Sequence, residues 1–387
     1  MKRIFAFIFA VIMLVGVICS CGKKENNNST LKIGGIGPIT GDTAVYGEAV
    51  KNGCKLAVEE INKNGGIGGL KVEFKFEDDM NDADKSVSVY DELKKWGMNV
   101  LVGPVTTIPC IEVAEKVYAD RVFAITPSAS SSDVTKGKDN MYQLCFSNSA
   151  LGTGAASYIS ENMKDKKIAV IYRNDDAYSQ GVRDTFVAEA NSKNLEVVFE
   201  GTFTAETSKD FTVQLTNAKN AKADIIFLPV YYQSASTMLA QAKVMNYTPT
   251  LFGVDGLDGI LTMENFDTTL AEGLVILTSF SAYDEDENTK AFVEKYKETY
   301  GEIPNQFAAD GYDCIYAIKA AYEKMGCTSD MSQEILCEKL VKGMQEISFD
   351  GLTGKEMKWN DRGEVDKQPM VVVIENGVYV SSNTKSE

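Results

Sequence analysis

Two hydroxyl-rich segments and one acidic residue have the residue types needed to bind a small charged molecule. Thr107 lies in the segment GPVTTIP, and Ser128 and Ser130 lie in TPSASSS; both segments follow apolar runs typical of strands. Hydroxyls and backbone amides at the carboxyl ends of parallel strands can bind a carboxylate without a basic side chain. Asp255, in the segment GVDG, can pair with an ammonium group. Taken singly, Thr107 could merely cap a helix and Asp255 could merely form a turn.

Two tyrosines accompany the acid in the middle of the chain. Tyr178 lies in the segment DDAYSQG and Tyr231 in VYY, and each segment follows an apolar run typical of a strand. Taken alone, these aromatic residues could simply line the rim of a cleft. Together with the hydroxyl segments they predict a cleft with an anion site on one side and a carboxylate with tyrosines on the other.

Histidine is absent from the chain. Its absence excludes Ser-His-Asp and Cys-His catalysis and His-ligated zinc, so the sequence favours a binding protein over an enzyme. A surface hydrolase that works through carboxylates is the enzymatic alternative. It needs a second acid close to Asp255, and Asp310 is the nearest candidate.

No motif for a cofactor or a metal is complete. The segment GGIGPITG resembles a dinucleotide-binding loop, but Thr40 replaces the third glycine of GxGxxG and Pro38 stands where amides should face a phosphate. The glycines more simply allow a close approach of the backbone to another group. None of the six cysteines after the N-terminal segment lies in a C-x-x-C pair, so we predict no metal site. Cys327 and Cys337 could form a disulfide in an exported protein, with buried free thiols as the simpler expectation.

The N-terminus has the features of a secretory signal. Two basic residues after Met1 precede an apolar run over 4–18, which ends in Ile-Cys-Ser-Cys. This ending resembles the bacterial lipobox, which predicts a signal peptide over 1–20 and acylation of Cys21. A transmembrane anchor is the alternative, although a run of about 15 residues is shorter than the roughly 20 that span a bilayer. Residues 21–30 then form a polar tether, and the folded part works outside the cytoplasm.

The net charge limits the possible binding partners, and the length limits the number of domains. The chain of 387 residues carries a formal net charge of −16, which opposes binding to nucleic acid or anionic lipid. The acids are spread along the chain, as on an ordinary solvated surface. About 350 residues follow the tether, enough for two domains of ordinary size.

Short apolar runs alternate with helical spacing in two successive series. This alternation predicts parallel sheets with helices on both faces, so the fold class is α/β with two doubly wound lobes. The predicted strands are 31–36, 71–76, 99–102 and 122–125 in the first series and 167–172, 196–199, 224–230 and 250–253 in the second. The predicted helices are 48–61, 84–96, 111–118, 181–191, 211–219 and 236–245, followed by 289–300, 308–325 and 332–344. A strand pair over 364–380, with an Asn376-Gly377 turn, ends the chain.

Several stretches resemble the branched-chain amino-acid-binding proteins of ABC importers. The most specific are GPITGDTAVYGEAVKNGCKLAVEEINKNGGIGG and PNQFAADGYD; VGPVTT, ITPSAS, VYY and GVDG add support. The resemblance covers the chain from residue 31 to its end. It implies the type I periplasmic-binding fold, in which two lobes joined by a three-strand hinge close on a ligand like a Venus flytrap.

The resemblance also implies how the polar residues bind an amino acid. Thr107 and Ser130 match residues that bind the α-carboxylate, and Ser128 matches a position whose backbone carbonyl contacts the α-ammonium. Asp255 matches an acid that pairs with the ammonium, a glutamate in the familiar leucine/isoleucine/valine binder. Tyr231 matches an aromatic residue beside that ammonium.

The remaining positions concern the ligand side chain. Tyr46, Tyr178 and Phe307 match residues close to it. Asn81 and Thr106 stand where the familiar binder has a disulfide, so the resemblance implies that this chain lacks it. Members of the family take branched-chain amino acids, other amino acids, amides or urea, so the identity of the ligand stays open.

The resemblance further implies domain limits and partners. Lobe 1 is expected to comprise residues 31–148 and 282–366, and lobe 2 residues 149–281 and 367–387. The expected function is capture of a free amino acid, most of all leucine, isoleucine or valine, for the permease of an ABC transporter. The expected form is a monomer held at the outer face of a bacterial membrane through Cys21, with no cofactor. A sensory protein of the same fold and a binder of urea or short amides are the alternatives.

Overall fold

In the computed structural model, which describes residues 30–381, two separate sheets position the rest of the chain. The strands of the first sheet are β1 (Thr30–Gly37), β2 (Lys71–Asp78), β3 (Val100–Val102), β4 (Phe123–Thr126) and β5 (Met141–Gln143). They lie in the order β2-β1-β3-β4-β5, and the pairs β1/β3, β3/β4 and β4/β5 are parallel. The sequence pattern misses β5, whose three residues end in a polar glutamine, whereas the equally short β3 is entirely apolar.

The second sheet is longer and mixed. Its parallel part contains β6 (Lys167–Arg173), β7 (Glu196–Phe203), β8 (Ile225–Leu228), β9 (Thr250–Gly253) and β10 (Val275–Thr278). Two short paired strands, β11 (Lys358–Trp359) and β12 (Val365–Asp366), precede the antiparallel hairpin of β13 (Met370–Glu375) and β14 (Val378–Ser381). The sheet order is β14-β13-β10-β9-β8-β6-β7. Asn376 and Gly377 both have positive φ, 55° and 76°, which suits a two-residue hairpin turn and confirms that prediction.

The helices alternate with the strands as the spacing predicts. They are α1 (Ala44–Lys63), α2 (Ala83–Trp96), α3 (Thr107–Ala119), α4 (Asn148–Asn162), α5 (Ala177–Ser192), α6 (Thr212–Asn220), α7 (Tyr232–Val244), α8 (Glu287–Tyr300), α9 (Gln306–Lys324) and α10 (Gln333–Glu346). Most begin one to four residues before the predicted start. Helix α4 is missing from the predicted helices, because its Ala, Gly and Ser content blurs its periodicity. Ser147 caps it by accepting a bond from the amide of Ala150.

The chain passes between the two sheets three times. It leaves β5 for α4, which packs on α5 and β10; it leaves β10 for α8; and it leaves β12 for β13. The helices that follow the second crossing belong with the first sheet, since α9 packs on α1 and β3, and α10 packs on β4. Contact between α1 and α9 is close, because a side chain at Gly53 would overlap the carbonyl of Ala308.

The predictions for the cysteines and for the N-terminal segment have different outcomes. All six cysteines of the described residues are buried free thiols, so Cys327 and Cys337 do not form a disulfide there. No helix within 30–381 combines the length and the apolar character that a membrane span requires. The predicted signal peptide and Cys21 lie outside the described residues.

Candidate functional site

A small cavity lies where the ends of strands from both sheets face one another. Its volume is about 20 Å³, about enough for one water molecule. It is lined by Tyr46, Val105, Thr106, Thr107, Ser128, Tyr178, Tyr231, Asp255, Gly256 and Phe307. The structure therefore brings together all of the predicted ligand-binding residues except Ser130.

The N-terminus of α3 forms one wall of the cavity. Thr106, not Thr107, occupies the N-cap position, and its hydroxyl does not bond to the backbone of the helix, so the interpretation of Thr107 as a cap is wrong. Thr106 is 4% exposed, and its Oγ1 has no hydrogen-bond partner within the described chain. Since the first amides of a helix also lack partners inside the helix, this wall presents hydrogen-bond donors suited to an anion.

The two serines after β4 have different surroundings. Ser128 lines the cavity, and its hydroxyl donates to the carbonyl of Val105 at 2.5 Å. Ser130 is fully buried away from the lining, and its hydroxyl donates to Oδ1 of Asn148 at 2.7 Å. Its carbonyl also accepts a bond from the amide of Asn148, at 2.8 Å. Ser130 thus ties the segment after β4 to the start of α4, at the first crossing.

The opposite wall carries a buried carboxylate. Asp255 begins a short 3-10 turn after β9 and is 3% exposed. Its Oδ1 accepts hydrogen bonds from the hydroxyl of Tyr178 and the amide of Gly256, both at 2.8 Å. Burial raises the pKa of Asp255 to about 6, because these two uncharged donors only partly replace the lost water. A positive group in the cavity would stabilise the ionised form of this acid.

Aromatic rings close the cavity between the two walls. Tyr178 and Tyr231 stack with ring centroids 5.2 Å apart and planes nearly parallel, while Tyr46 lies 4.5 Å from Phe307 and 5.5 Å from Tyr231. The hydroxyl of Tyr46 donates to the carbonyl of Gly256 at 2.6 Å and so links α1 to the opposite wall. Burial raises the pKa of Tyr46, Tyr178 and Tyr231, which keeps these phenols neutral.

Gly35 and Gly37, which the sequence places in a strand-to-helix loop, are part of β1 and have a packing role. A side chain at Gly37 would come within 2.5 Å of Cγ2 of Val105, and one at Gly35 would overlap the ring of Phe76. The close approach predicted for these glycines is therefore an approach to neighbouring side chains. Thr106 was not predicted to bind the ligand, because the sequence presents it only as the residue in place of a disulfide cysteine. The available clue was the pair of adjacent threonines, Thr106 and Thr107, at the start of α3.

The second acid required by a hydrolase is not part of this site. Asp310 does not line the cavity, and it forms a buried ion pair with Lys367 instead. Within residues 30–381 no group of three potential metal-ligating His, Cys, Asp or Glu side chains is present. The arrangement has the chemistry of a binding site, with donors for an anion on one wall, an acid for a cation on the other and apolar rings between them.

Known proteins share this architecture. The family model for periplasmic binding proteins matches residues 30–377. A Leu/Ile/Val-binding protein of Rhizobium johnstonii is 32% identical over 305 residues, which cover 78% of this chain and 82% of that protein. The branched-chain amino acid transporter substrate binding protein LivJ of Streptococcus pneumoniae, solved in complex with isoleucine, has a TM-score of 0.81 at 27% identity and covers 91% of this chain and 99% of its own.

A more distant structure shares the fold with a different ligand. The solute binding protein of an ABC transporter from R. palustris, solved in complex with benzoate, has a TM-score of 0.81 at 20% identity and covers 91% of this chain and 95% of its own. At that identity the likeness concerns the fold alone. The match of the family model over most of the chain, together with the relative at 32% identity, shows that the chain belongs to the periplasmic binding protein family.

Proposed function

We propose that this solute-binding protein binds a free α-amino acid, with leucine, isoleucine or valine as the preferred ligands, and delivers it to an ABC importer. The observation that carries the proposal is the pairing of two opposite walls in one cavity: unbonded donors at the start of α3 and the buried acid Asp255. An α-amino acid carries a carboxylate and an ammonium on one carbon and matches both walls at once.

The carboxylate of the ligand belongs at α3. Thr106 Oγ1 lacks a partner within the described residues, and the first amides of a helix lack partners inside the helix. Each hydrogen bond to a charged group contributes roughly 1.5–3 kcal/mol net. We assign Thr106 and Thr107 to this carboxylate and Ser130 to the support of the crossing.

The ammonium of the ligand belongs at Asp255. Burial disfavours the negative charge of this acid, and a ligand ammonium would restore its counter-ion. Tyr178 donates to Asp255 and Tyr231 stacks on Tyr178, so the carboxylate is held from behind. Ser128 lines the same cavity, and we assign its backbone carbonyl to the ligand ammonium, since its hydroxyl already donates to Val105.

The side chain of the ligand belongs among the rings. Tyr46, Tyr178 and Phe307 present apolar faces, which favours a branched aliphatic group over a charged one. A cavity of about 20 Å³ admits no amino acid as it stands, so the two walls must separate for the ligand to enter and close on it afterwards. Ligand then shifts the population toward the closed form, because only that form makes both sets of contacts.

The family and the N-terminal sequence support a role in transport and a lipid anchor. We propose lobes at 31–148 with 282–366 and at 149–281 with 367–387, and a monomer attached to the outer face of the membrane through acylated Cys21. The closed form is then the one that docks on the permease. A sensory protein of the same fold would show the same cavity and differ only in its membrane partner.

An aromatic carboxylate is the second candidate ligand. It is favoured by the aromatic lining and by the fold shared with a benzoate-bound protein. It would leave Asp255 buried without a counter-ion, which is why we rank it below an amino acid.

Calorimetry of the ligand-free folded chain, preceded by a thermal-shift screen, tests the proposal. The screen contains the twenty amino acids, benzoate, urea and short amides, and binding to the native state raises the melting temperature. Leucine, isoleucine or valine should give the largest shift. A shift with benzoate or urea alone would contradict the assignment of Asp255, and no shift in a sample that mass spectrometry shows to be ligand-free would contradict the ligand class.

A further inference from the structure

One tyrosine hydroxyl joins the two walls of the cavity. Tyr46 lies in α1, which packs on β2 of the first sheet. Its hydroxyl donates to the carbonyl of Gly256 at 2.6 Å and accepts a bond from the amide of Tyr232 at 3.2 Å. Gly256 lies in the 3-10 turn after β9, and Tyr232 begins α7, which follows β8; both strands belong to the second sheet. The partners are 210 and 186 residues away along the chain, so the contact depends on the two walls facing each other.

The hydroxyl of Tyr46 is buried together with its partners. Tyr46 and Tyr232 are each 2% exposed, and Gly256 is also buried. Burial raises the pKa of Tyr46 well above its usual value, so the phenol keeps its proton. A phenol has one proton to donate, and here that proton is committed to Gly256. The ligand would therefore meet the ring of Tyr46 and not its hydroxyl.

The first of the two bonds supplies α7 with a cap from across the cavity. The N-cap residue of α7 is Tyr231, whose side chain makes no hydrogen bond to the first turn of this helix within the residues described. The first amides of a helix need acceptors outside the helix, a role that a serine or aspartate at the N-cap often fills. For the amide of Tyr232, the hydroxyl oxygen of Tyr46 fills it. Separation of the walls would break this bond and expose both groups to water.

The second bond reaches the turn that carries the ligand-binding acid. Gly256 directly follows Asp255, and its amide donates to Oδ1 of Asp255 at 2.8 Å and to the hydroxyl oxygen of Tyr178 at 3.1 Å. Its carbonyl accepts from Tyr46, so both polar groups of its backbone are bonded. A side chain at Gly256 would come within 2.5 Å of the hydroxyl oxygen of Tyr178, which leaves the turn little room to shift. The bond from Tyr46 therefore fastens α1 to a tightly held turn.

Closure of the walls does not depend on this hydroxyl alone. The ring of Tyr46 has its centre 4.5 Å from that of Phe307 and 5.1 Å from that of Tyr232, and these contacts do not involve the hydroxyl. A separate bond, from the amide of Gln306 to Oδ2 of Asp258 at 2.7 Å, also joins α9 to the turn after β9. Without the hydroxyl the walls can still meet, but with two fewer hydrogen bonds between them.

We propose that the hydroxyl of Tyr46 is a positioning group that latches the two walls together around the ligand and so slows its release, without itself contacting the ligand. The proposal rests on the proposed function, since it requires a ligand that enters between separated walls. The ligand enters before the two bonds form, and both must break before it leaves. The hydroxyl therefore lowers the rate of release, leaves the rate of entry unchanged, and acts alike on every ligand that the walls enclose.

Stopped-flow kinetics of Tyr46→Phe, which removes only the hydroxyl, tests this proposal with leucine, isoleucine and valine. The dissociation rate constant should rise about tenfold, as expected for the loss of two neutral hydrogen bonds, and by a similar factor for all three ligands. The association rate constant should stay within about twofold of wild type. Unchanged dissociation, or a factor that differs several-fold among the three amino acids, would overturn the latch and leave the proposed function intact. Absence of binding of any α-amino acid to wild type would contradict both.

A double-mutant cycle with Thr107→Val tests whether the hydroxyl contacts the ligand. Thr107 is assigned to the ligand carboxylate, whereas the bonds of Tyr46 join one wall to the other. The effect of Tyr46→Phe on leucine dissociation should therefore be the same in the Thr107→Val background, within about twofold. Strong coupling between the two substitutions would mean that the hydroxyl acts through the ligand, and the assignment as a positioning group would fail.

Tyr142→Phe is the matched control for structural support. Tyr142 is 1% exposed, and its hydroxyl donates to the carbonyl of Val341 at 3.1 Å, which joins β5 to α10 on the side of the first sheet. Both variants lose a buried tyrosine hydroxyl bonded to a carbonyl, so urea unfolding should show a similar loss of stability in each. Only Tyr46→Phe should speed the dissociation of leucine, with Tyr142→Phe within about twofold of wild type. Equal acceleration in both variants would indicate general loosening of the fold and would overturn the latch.

Discussion

The two walls of the cavity handle charge in different ways. At the start of α3, Thr106 and Thr107 offer hydroxyls and helix amides, which are uncharged at every pH at which the protein is folded. Across the cavity, Asp255 offers one carboxylate whose ionisation is disfavoured by burial. The first wall spreads its binding over several neutral donors, and the second concentrates it in one group that needs a counter-ion. Loss of one donor should therefore weaken binding gradually, while loss of the acid should abolish it.

Replacement of the acid should have the largest effect. Asp255→Asn keeps the size of the side chain and removes the only charge assigned to the ligand ammonium. We expect at least about a 100-fold loss of leucine affinity, equivalent to about 3 kcal/mol. Titration calorimetry at pH 7.5 measures it.

Asp258→Asn is the matched control for this substitution. Asp258 is buried at the end of the same turn, 4% exposed, but does not line the cavity. The control should bind leucine within about threefold of wild type. If Asp255→Asn binds leucine as tightly as wild type, the ligand ammonium does not bind at this wall.

The same substitution should have an opposite effect on the ligand-free protein. Because the folded protein raises the pKa of Asp255 from 3.8 to about 6, this group favours folding below about pH 4, and the benefit is lost as the pH rises through 6. Asp255→Asn should thus be more stable than wild type at pH 7.5, by up to about 3 kcal/mol, and no more stable at pH 4. Urea unfolding of both proteins at the two pH values provides the comparison.

Saturating leucine should reverse that order at pH 7.5. It stabilises wild type by mass action and stabilises the variant much less, because the variant binds leucine at least about 100-fold more weakly. A stability difference that is the same at pH 4 and pH 7.5 would show that Asp255 is ionised without hindrance in the ligand-free protein, and the contrast between the walls would disappear.

Removal of the unbonded Thr106 hydroxyl from the wall at α3 should have a smaller effect on binding than loss of Asp255. Thr106→Val keeps the shape of the side chain and removes a buried oxygen that has no partner in the described chain. The ligand-free protein should gain about 1 kcal/mol in stability, and leucine affinity should fall about tenfold. Thermal shift gives the first quantity and calorimetry the second, and both changes should be independent of pH between 5 and 8.

Thr107→Val serves as the comparison within this wall. Thr107 is equally buried and lines the same cavity, so it should also weaken binding, by roughly 1–3 kcal/mol. If Thr106→Val binds leucine as tightly as wild type, only Thr107 and the helix amides bind the ligand carboxylate.

The sequence predicts the scaffold of this site better than its contacts. Apolar alternation locates eight strands of the parallel layers and most helices, because burial on both faces leaves a strong signal in each run. It misses β10 in the second sheet. It also misses β5, which has three residues, and α4, which is made of small residues. Neither element shows a period, yet the two flank the first crossing.

Side-chain partners depend on the neighbours that tertiary structure supplies. Asp255 follows a strand in the sequence, but the raised pKa comes from burial that no local pattern reveals. The sequence presents Asp310 as an acid within PNQFAADGYD and as the candidate second acid of a hydrolase. Its pairing with Lys367, 57 residues later, depends on how the third crossing packs. Thr106 and Thr107 are adjacent and chemically alike, and only the start of α3 separates their roles.

Ser130 gives the smallest predicted effect on binding. The resemblance placed it on the ligand carboxylate, whereas its hydroxyl donates to Asn148 and its side chain does not line the cavity. Ser130→Ala should therefore change leucine affinity by less than about threefold and lower stability by about 1 kcal/mol, the typical contribution of one buried hydrogen bond. Calorimetry measures the leucine affinity, and urea unfolding measures the stability. Thr107→Val should show the reverse pattern, with the larger effect on affinity. A tenfold loss of affinity in Ser130→Ala would mean that this hydroxyl leaves Asn148 for the ligand as the walls close, and the neutral wall would then extend to both strand ends.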